Sequence, residues 1–293
     1  MSSLDRDQHN RSSLTFSECL EEIQNSLSLK RLSLWVGAGI SRDAPSALPL
    51  ANELKSFLLA EICESGTLRD FHEERLLSGK DIEVALKKYP LEAFIESLSE
   101  SHNLLSMVSE IFRGGSPNKH HRLLARLARD GFVRQILTTN FDLLIERALE
   151  QLGCSKGKDY DVCFTEDGFL KGAPQCRIVI SKIHGSAHDP ESMRITLREV
   201  SSQRLAPGRV DALKRFLCQE EGDVLVIGYS VSDDFDINPA LSAMKPAKRI
   251  FLVRHSPGMQ SIGPLPSPFA NFDGVAVSCA TAQILENLED VVK

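Results

Sequence analysis

The sequence predicts an α/β fold, a parallel sheet with helices on both faces and an inserted, mostly helical small module. Three observations carry this reading. Short apolar runs of strand length alternate with amphipathic stretches of helical period over most of the 293 residues. Runs such as Leu32-Ser-Leu-Trp-Val36 and Val224-Leu-Val-Ile227 are apolar almost throughout, the mark of strands buried on both sides. Between 66 and 118 the strand signals stop and only helical periodicity remains. The chain therefore reads as one domain over 1–293, with the sheet core at about 30–65 and 119–293 and the helical insertion at about 66–118.

The first dozen residues are polar and read as a tail. From 16 to 29, Phe16, Leu20, Ile23 and Leu27 recur at helical spacing, with Ser17 as N-cap ahead of Glu21. Residues 31–36 form a strand entering the glycine turn Gly37-Ala-Gly-Ile-Ser41. Leu50, Leu54, Phe57, Leu58 and Ile62 stripe one face of a helix over 50–65. Within the insertion, helices are predicted at 82–88, 91–99 and 104–112, and Arg113-Gly-Gly-Ser-Pro-Asn118 closes it. The strand–helix rhythm then resumes: helix 119–130, strand 133–137, helix 143–153, strands 160–164 and 177–183, helix 210–220 and strand 224–227. Strands at 249–253 and 274–277 and a helix at 281–291 complete the chain, and the proline-rich stretch 256–268 reads as a loop.

Composition removes several functions. Lys plus Arg number 34 against 40 for Asp plus Glu, a formal charge of −6, so direct nucleic-acid binding is disfavoured. No apolar run is long enough to span a membrane, and the polar N-terminus is not a secretory signal, so the cytoplasm is the expected compartment. The seven cysteines, Cys19, Cys63, Cys154, Cys163, Cys176, Cys218 and Cys279, include no Cys-x-x-Cys pair, which argues against a four-cysteine zinc site. No metal is expected at Asp233-Asp234 either, for lack of a third ligand at suitable spacing.

Ligands of open parallel sheets bind beyond the carboxyl ends of the strands. Four predicted strands end in small or polar residues: Gly37-Ala38-Gly39-Ile-Ser41, Thr138-Thr139-Asn140-Phe-Asp142, His184-Gly-Ser186 and Gly228-Tyr229-Ser230. Gly37 and Gly39 would let the backbone approach a pyrophosphate, although a bare Gly-x-Gly is often only a turn and Arg42 occupies the third glycine position of G-x-G-x-x-G. Ser41 offers a hydroxyl to a phosphate or caps the turn. Asn140 offers donor and acceptor to a sugar hydroxyl or a water, or caps a turn. Asp142 caps the helix that follows and orients Asn140. His184, at a strand end, is placed as a general acid or base. His121, at a helix start with leucines facing the core, is expected to be packed and hydrogen-bonded, and His188 to lie on the surface.

These motifs, in this order and at these intervals, resemble the sirtuin family: Gly37-Ala-Gly-Ile-Ser41, Thr139-Asn140-Phe141-Asp142, Lys182-Ile-His184-Gly185 and Gly228-Tyr229-Ser230, over about residues 30–255. The resemblance implies a Rossmann-like core that takes NAD as substrate. The glycine turn with Ser41 would line the pyrophosphate pocket, with Ala38 and Thr139 beside it. Asn140 would hold the nicotinamide ribose or a water, Asp142 would order that loop, His184 would be the base, and Gly228, Tyr229 and Ser230 would meet the adenosine half. The chain departs from protein-deacylating sirtuins in lacking the four-cysteine module, in Arg42-Asp-Ala-Pro after the turn, and in Thr139 where they carry Gln. Those departures resemble the bacterial sirtuin-like NADases of anti-phage defence, which release nicotinamide and ADP-ribose and work with a sensing or regulatory partner subunit, often as oligomers. The readings weighed against this are an NAD or ADP-ribose sensor without turnover, an NAD-dependent deacylase or ADP-ribosyltransferase, and a structural subunit of a nucleic-acid-associated complex.

Overall fold

The computed structural model describes residues 14–64, 90–99, 104–171, 176–196, 205–218, 221–245 and 247–292. Eight strands make one sheet: β1 Leu32–Val36, β2 Gln135–Thr138, β3 Tyr160–Cys163, β4 Ile178–Lys182, β5 Asp223–Ile227, β6 Arg249–His255, β7 Ser261–Gly263 and β8 Gly274–Cys279. Their order across the sheet is β3-β4-β2-β1-β5-β6-β8-β7, parallel throughout except that β7 runs antiparallel to β8. The helices are α1 Phe16–Ser28, α2 Ala51–Glu64, α3 Leu91–Ser99, α4 Leu104–Arg113, α5 Lys119–Arg129, α6 Leu144–Gln151, α7 Glu166–Leu170, α8 Pro207–Cys218, α9 Ile237–Ser242 and α10 Thr281–Val291.

Strand periodicity sorts the core into two layers. Leu34, Val36, Leu225 and Ile227 pack with α1, α5, α6 and α10 on one face. The alternate residues Trp35, Val224 and Val226 pack with α7, α8 and α9 on the other. A third cluster lies apart, where Leu54 and Leu58 of α2 meet Phe94, Ile95, Leu104 and Val108 of α3 and α4, and Phe141, Met193 and Ile195 close it. The helices expected at 91–99 and 104–112 are therefore present, whereas the one expected at 82–88 lies outside the described residues.

The structure departs from the sequence expectation at several local elements. Thr15, not Ser17, caps α1: its Oγ1 accepts from the Glu18 N–H, and Glu18 returns the bond to the Thr15 N–H at 2.8 Å. The short α7 and α9 were not predicted, and the stretch 256–268 holds β7, which pairs with β8.

The central strands set up the site. The chain builds β2, β3 and β4 on one side of β1, then crosses to the other side for β5. The carboxyl ends of four neighbouring strands, β4, β2, β1 and β5, thus meet at a topological switch point. There β1 and β5 leave the sheet almost in contact. A Cβ on Gly37 would lie 2.5 Å from Gly228 O, and one on Gly228, whose φ is +67°, would lie 2.8 Å from Ile40 N. Next to Gly228, Tyr229 stacks on the fully buried Trp35 with ring centroids 5.1 Å apart, which pins the β5 loop from beneath.

Gly37→Ala and Gly228→Ala are each expected to lower the unfolding free energy by about 1–3 kcal/mol, the usual cost of forcing atoms into filled space. Gly263→Ala on β7 places its new carbon with nothing within 4 Å and should leave the urea midpoint unchanged.

Candidate functional site

A cleft of about 1520 Å³ opens over the four strand ends. It is lined by Ala38, Gly39, Ser41, Thr139, Asn140, Asp142, His184, Gly228, Tyr229 and Ser230, so the structure brings these ten sequence-selected residues together. Gly37 is the exception. It is buried behind the cleft wall, against Gly228 and Tyr229, and its N–H donates to Ile227 O at 2.9 Å. The Gly39 N–H is likewise spent on Gly228 O. These two amides therefore join the β1 loop to the β5 loop, and a side chain at Gly37 or Gly39 would run into Gly228.

Ser41 is the centre of the polar network. Its buried hydroxyl donates to Asp142 Oδ2 at 2.7 Å and accepts from Asn140 Nδ2 at 3.4 Å. His121 Nε2 lies 3.2 Å from the same oxygen, and its Nδ1 lies 2.8 Å from Asn118 Oδ1 at the start of α5. His121 is thus packed behind the site, as expected, and burial pushes its pKa down to about 4 against the opposing pull of Asp142. Asp142 has two tasks. Oδ1 accepts from the Leu144 N–H at the start of α6, while Oδ2 accepts from the Ser41 hydroxyl and so reaches Asn140 through the serine.

Asn140 is held by its backbone as well, its N–H donating to Thr138 Oγ1 at 3.0 Å. Its Oδ1 is buried without a hydrogen-bond partner. A buried acceptor left unpaired is costly, and in a cleft wall it suits a donor supplied by a ligand.

Lys182 fixes this loop from below. Its fully buried ammonium donates to Phe141 O at 3.2 Å, to Asp142 O, and to Glu146 Oε1 at 2.9 Å. A lysine inside an apolar strand demands such partners, and that demand was a readable signal. Two residues on, His184 stacks on Phe141 with centroids 6.3 Å apart. Its Nε2 lies 3.3 Å from Asp236 Oδ2, both side chains being about nine-tenths buried. Burial opposes the imidazolium, but the charges of Asp236 and Asp233 prevail and raise the pKa to about 9. Burial likewise raises Asp233, whereas His184 and the Ile237 N–H outweigh it at Asp236 and hold that carboxyl below the usual range.

Sequence reasoning missed Asp236. An aspartate just ahead of Ile-Asn-Pro is an N-cap signature for α9, yet nothing local ties it to a histidine 52 positions earlier. Glu92 of α3 also lines the cleft, with burial and the nearby aspartates raising its pKa. His188 is exposed, with Nδ1 3.0 Å from Ser186 Oγ. Among the described residues, no group of three or more His, Cys, Asp or Glu side chains could hold a metal ion.

Residues 134–255 match the family model of the SIR2-like domain, a span that includes Asn140, Asp142, His184 and the Gly228 turn. No curated protein matches the sequence. Among solved structures, a mutant Sir2 homologue in complex with ADP-ribose shares 17% identity over 93% of this chain and 94% of its own, with a TM-score of 0.45. A Sir2 homologue–NAD complex shares 16% over 93% of each chain, with a TM-score of 0.44.

The two histidines give opposite pH limbs. His184, raised from 6.5 to about 9, contributes stability that is present below 6.5 and lost as pH rises through 9. His121, lowered to about 4, contributes stability that is present above 6.5 and lost as pH falls through 4. Urea midpoints measured across this range should decline on both sides, and His184→Gln should flatten the alkaline limb alone.

Proposed function

We propose that this protein is an NAD glycohydrolase that cleaves the nicotinamide–ribose bond to give nicotinamide and ADP-ribose. The observation that carries the proposal is the unpaired, buried Oδ1 of Asn140 in the same cleft wall as His184. An amide acceptor suits a ribose hydroxyl or an attacking water, and an imidazole lining the same cleft suits the proton that the water must lose. The SIR2-like match over residues 134–255 supports the same substrate.

In this reading the dinucleotide lies across the strand ends. Its nicotinamide ribose sits by Asn140 and His184, and its adenosine half lies toward Gly228, Tyr229 and Ser230. The C1′–N bond breaks with its electron pair leaving on nicotinamide, and the ribose passes through an oxocarbenium-like state. A water oxygen bonds to C1′ and its proton goes to neutral His184. Asn140 orients the reactants, while Asp142, through Ser41, fixes Asn140, so the rate comes largely from positioning.

His184 near 9 means that the resting chain holds an imidazolium at neutral pH, which cannot accept a proton. This fits an enzyme that is latent until a regulatory partner subunit or oligomerisation alters the site, as the resemblance to defence NADases implies for a cytoplasmic effector. The same observation favours a second reading, a sensor that binds NAD without turnover.

Incubation with NAD at neutral and alkaline pH, alone and with candidate partner proteins, separates the two. Nicotinamide release is expected, and tight binding with no product under every condition would favour the sensor. His184→Ala and Asn140→Ala should each cut release by about 10²-fold or more while the chain stays folded by circular dichroism. Full activity in both variants would overturn the assignment.

A further inference from the structure

Asp236 lies outside every motif considered above, yet it makes the closest polar approach to the His184 ring. Its carboxylate is fixed from two sides. Oδ1 accepts the Ile237 N–H at 2.6 Å, capping α9, and Oδ2 lies 3.3 Å from His184 Nε2. Nε2 itself has no exposed surface and, apart from this ion-pair contact, no hydrogen-bond partner. The His184 backbone is held as well: its carbonyl accepts the Arg194 N–H at 2.8 Å, and the preceding Ile183 carbonyl accepts from the buried Arg209 guanidinium.

We infer that Asp236 is the positioning carboxylate of His184, holding Nε2–H inward so that Nδ1 is the nitrogen that exchanges a proton with the substrate. This rests on the reading of His184 as the proton acceptor in NAD cleavage. An imidazole has two nitrogens, and the bond made by one decides which is left with a lone pair when the ring is neutral. With Nε2 facing a carboxylate, the neutral ring keeps its proton there and presents Nδ1. Asp236 thus fixes the tautomer and the ring orientation and sets how tightly the second proton is held.

Other charges face the ring. Asp233 approaches from the same loop, Glu92 from α3 and Arg209 from α8. Asp233 and Glu92 favour the imidazolium through space and Arg209 opposes it, while Asp236 alone lies within ion-pairing distance of the ring. Contact and field are therefore separable. Asp236→Asn keeps an oxygen to cap α9 while removing the charge. Asp233→Asn removes a comparable charge without breaking a contact to the ring.

The test is a titration of ¹⁵N-labelled full-length protein, with the His184 imidazole signals assigned by their loss in His184→Gln. Wild type should titrate near 9, and its neutral form should carry the proton on Nε2. In Asp236→Asn the midpoint should fall toward 6.5, with a smaller fall in Asp233→Asn. A neutral wild-type ring protonated on Nδ1, an unmoved midpoint in Asp236→Asn, or equal shifts in both variants would each overturn the inference. The wild-type tautomer decides the matter alone if Asp236→Asn does not fold. In the kinetic arm, the alkaline-rising limb of kcat/KM for nicotinamide release should move toward neutrality in Asp236→Asn, and an unmoved limb would overturn the inference. If wild type releases no nicotinamide at any pH, the glycohydrolase reading fails, while the titration still decides the role of Asp236.

Discussion

A single hydroxyl group organises the site. The Ser41 hydroxyl donates a hydrogen bond to Asp142, accepts one from Asn140 and lies beside His121, so elements distant in sequence converge on one atom. Ser41 can occupy that point because the β1 turn is pressed against the β5 loop, where neither Gly37 nor Gly228 leaves room for a side chain. Backbone contact comes first, the serine follows from it, and the orientation of the asparagine follows from the serine. The buried Lys182 ammonium secures the other side of the same loop through two of its carbonyls.

Charge is distributed unevenly around this network. On the β2 side, Asp142 accepts hydrogen bonds from a hydroxyl and an amide. On the β5 side, carboxylates outnumber cations and the imidazole absorbs the excess by holding its proton. Burial works in opposite directions on the two histidines because of their neighbours. His121 has one acid within range and stays neutral, whereas His184 has several and stays charged. Two histidines at one rim thus serve as a structural bridge and as a titrating group without differing in type.

The layered sheet and most of its elements were legible because buried parallel strands leave apolar runs that few other structures produce. So were the strand-end residues, since their position in the run is a property of the sequence itself. What was not legible is contact. Gly37 and Gly39 mark a tight turn, but whether a glycine makes room for a ligand or for another loop depends on what lies opposite, and Gly228 is about 190 residues away. Asp236 was hidden for the same reason. The N-cap of α1 was missed because two hydroxyl residues two positions apart each precede a glutamate, and only the reciprocal bond of Glu18 distinguishes them. The strand β7 is three residues long and sits among prolines, too little for a period to register.

Phe141 stands between Asn140 and Asp142 and belongs to the third apolar cluster, where Leu54, Phe94 and Val108 pack around it. Close-packed interiors do not yield to one side chain moving alone. The stiffness of the amide at the rim therefore draws on the helices α2, α3 and α4 as well as on the sheet from which it emerges. A stretch of sequence that contributes no strand thus buttresses the loop that carries the amide.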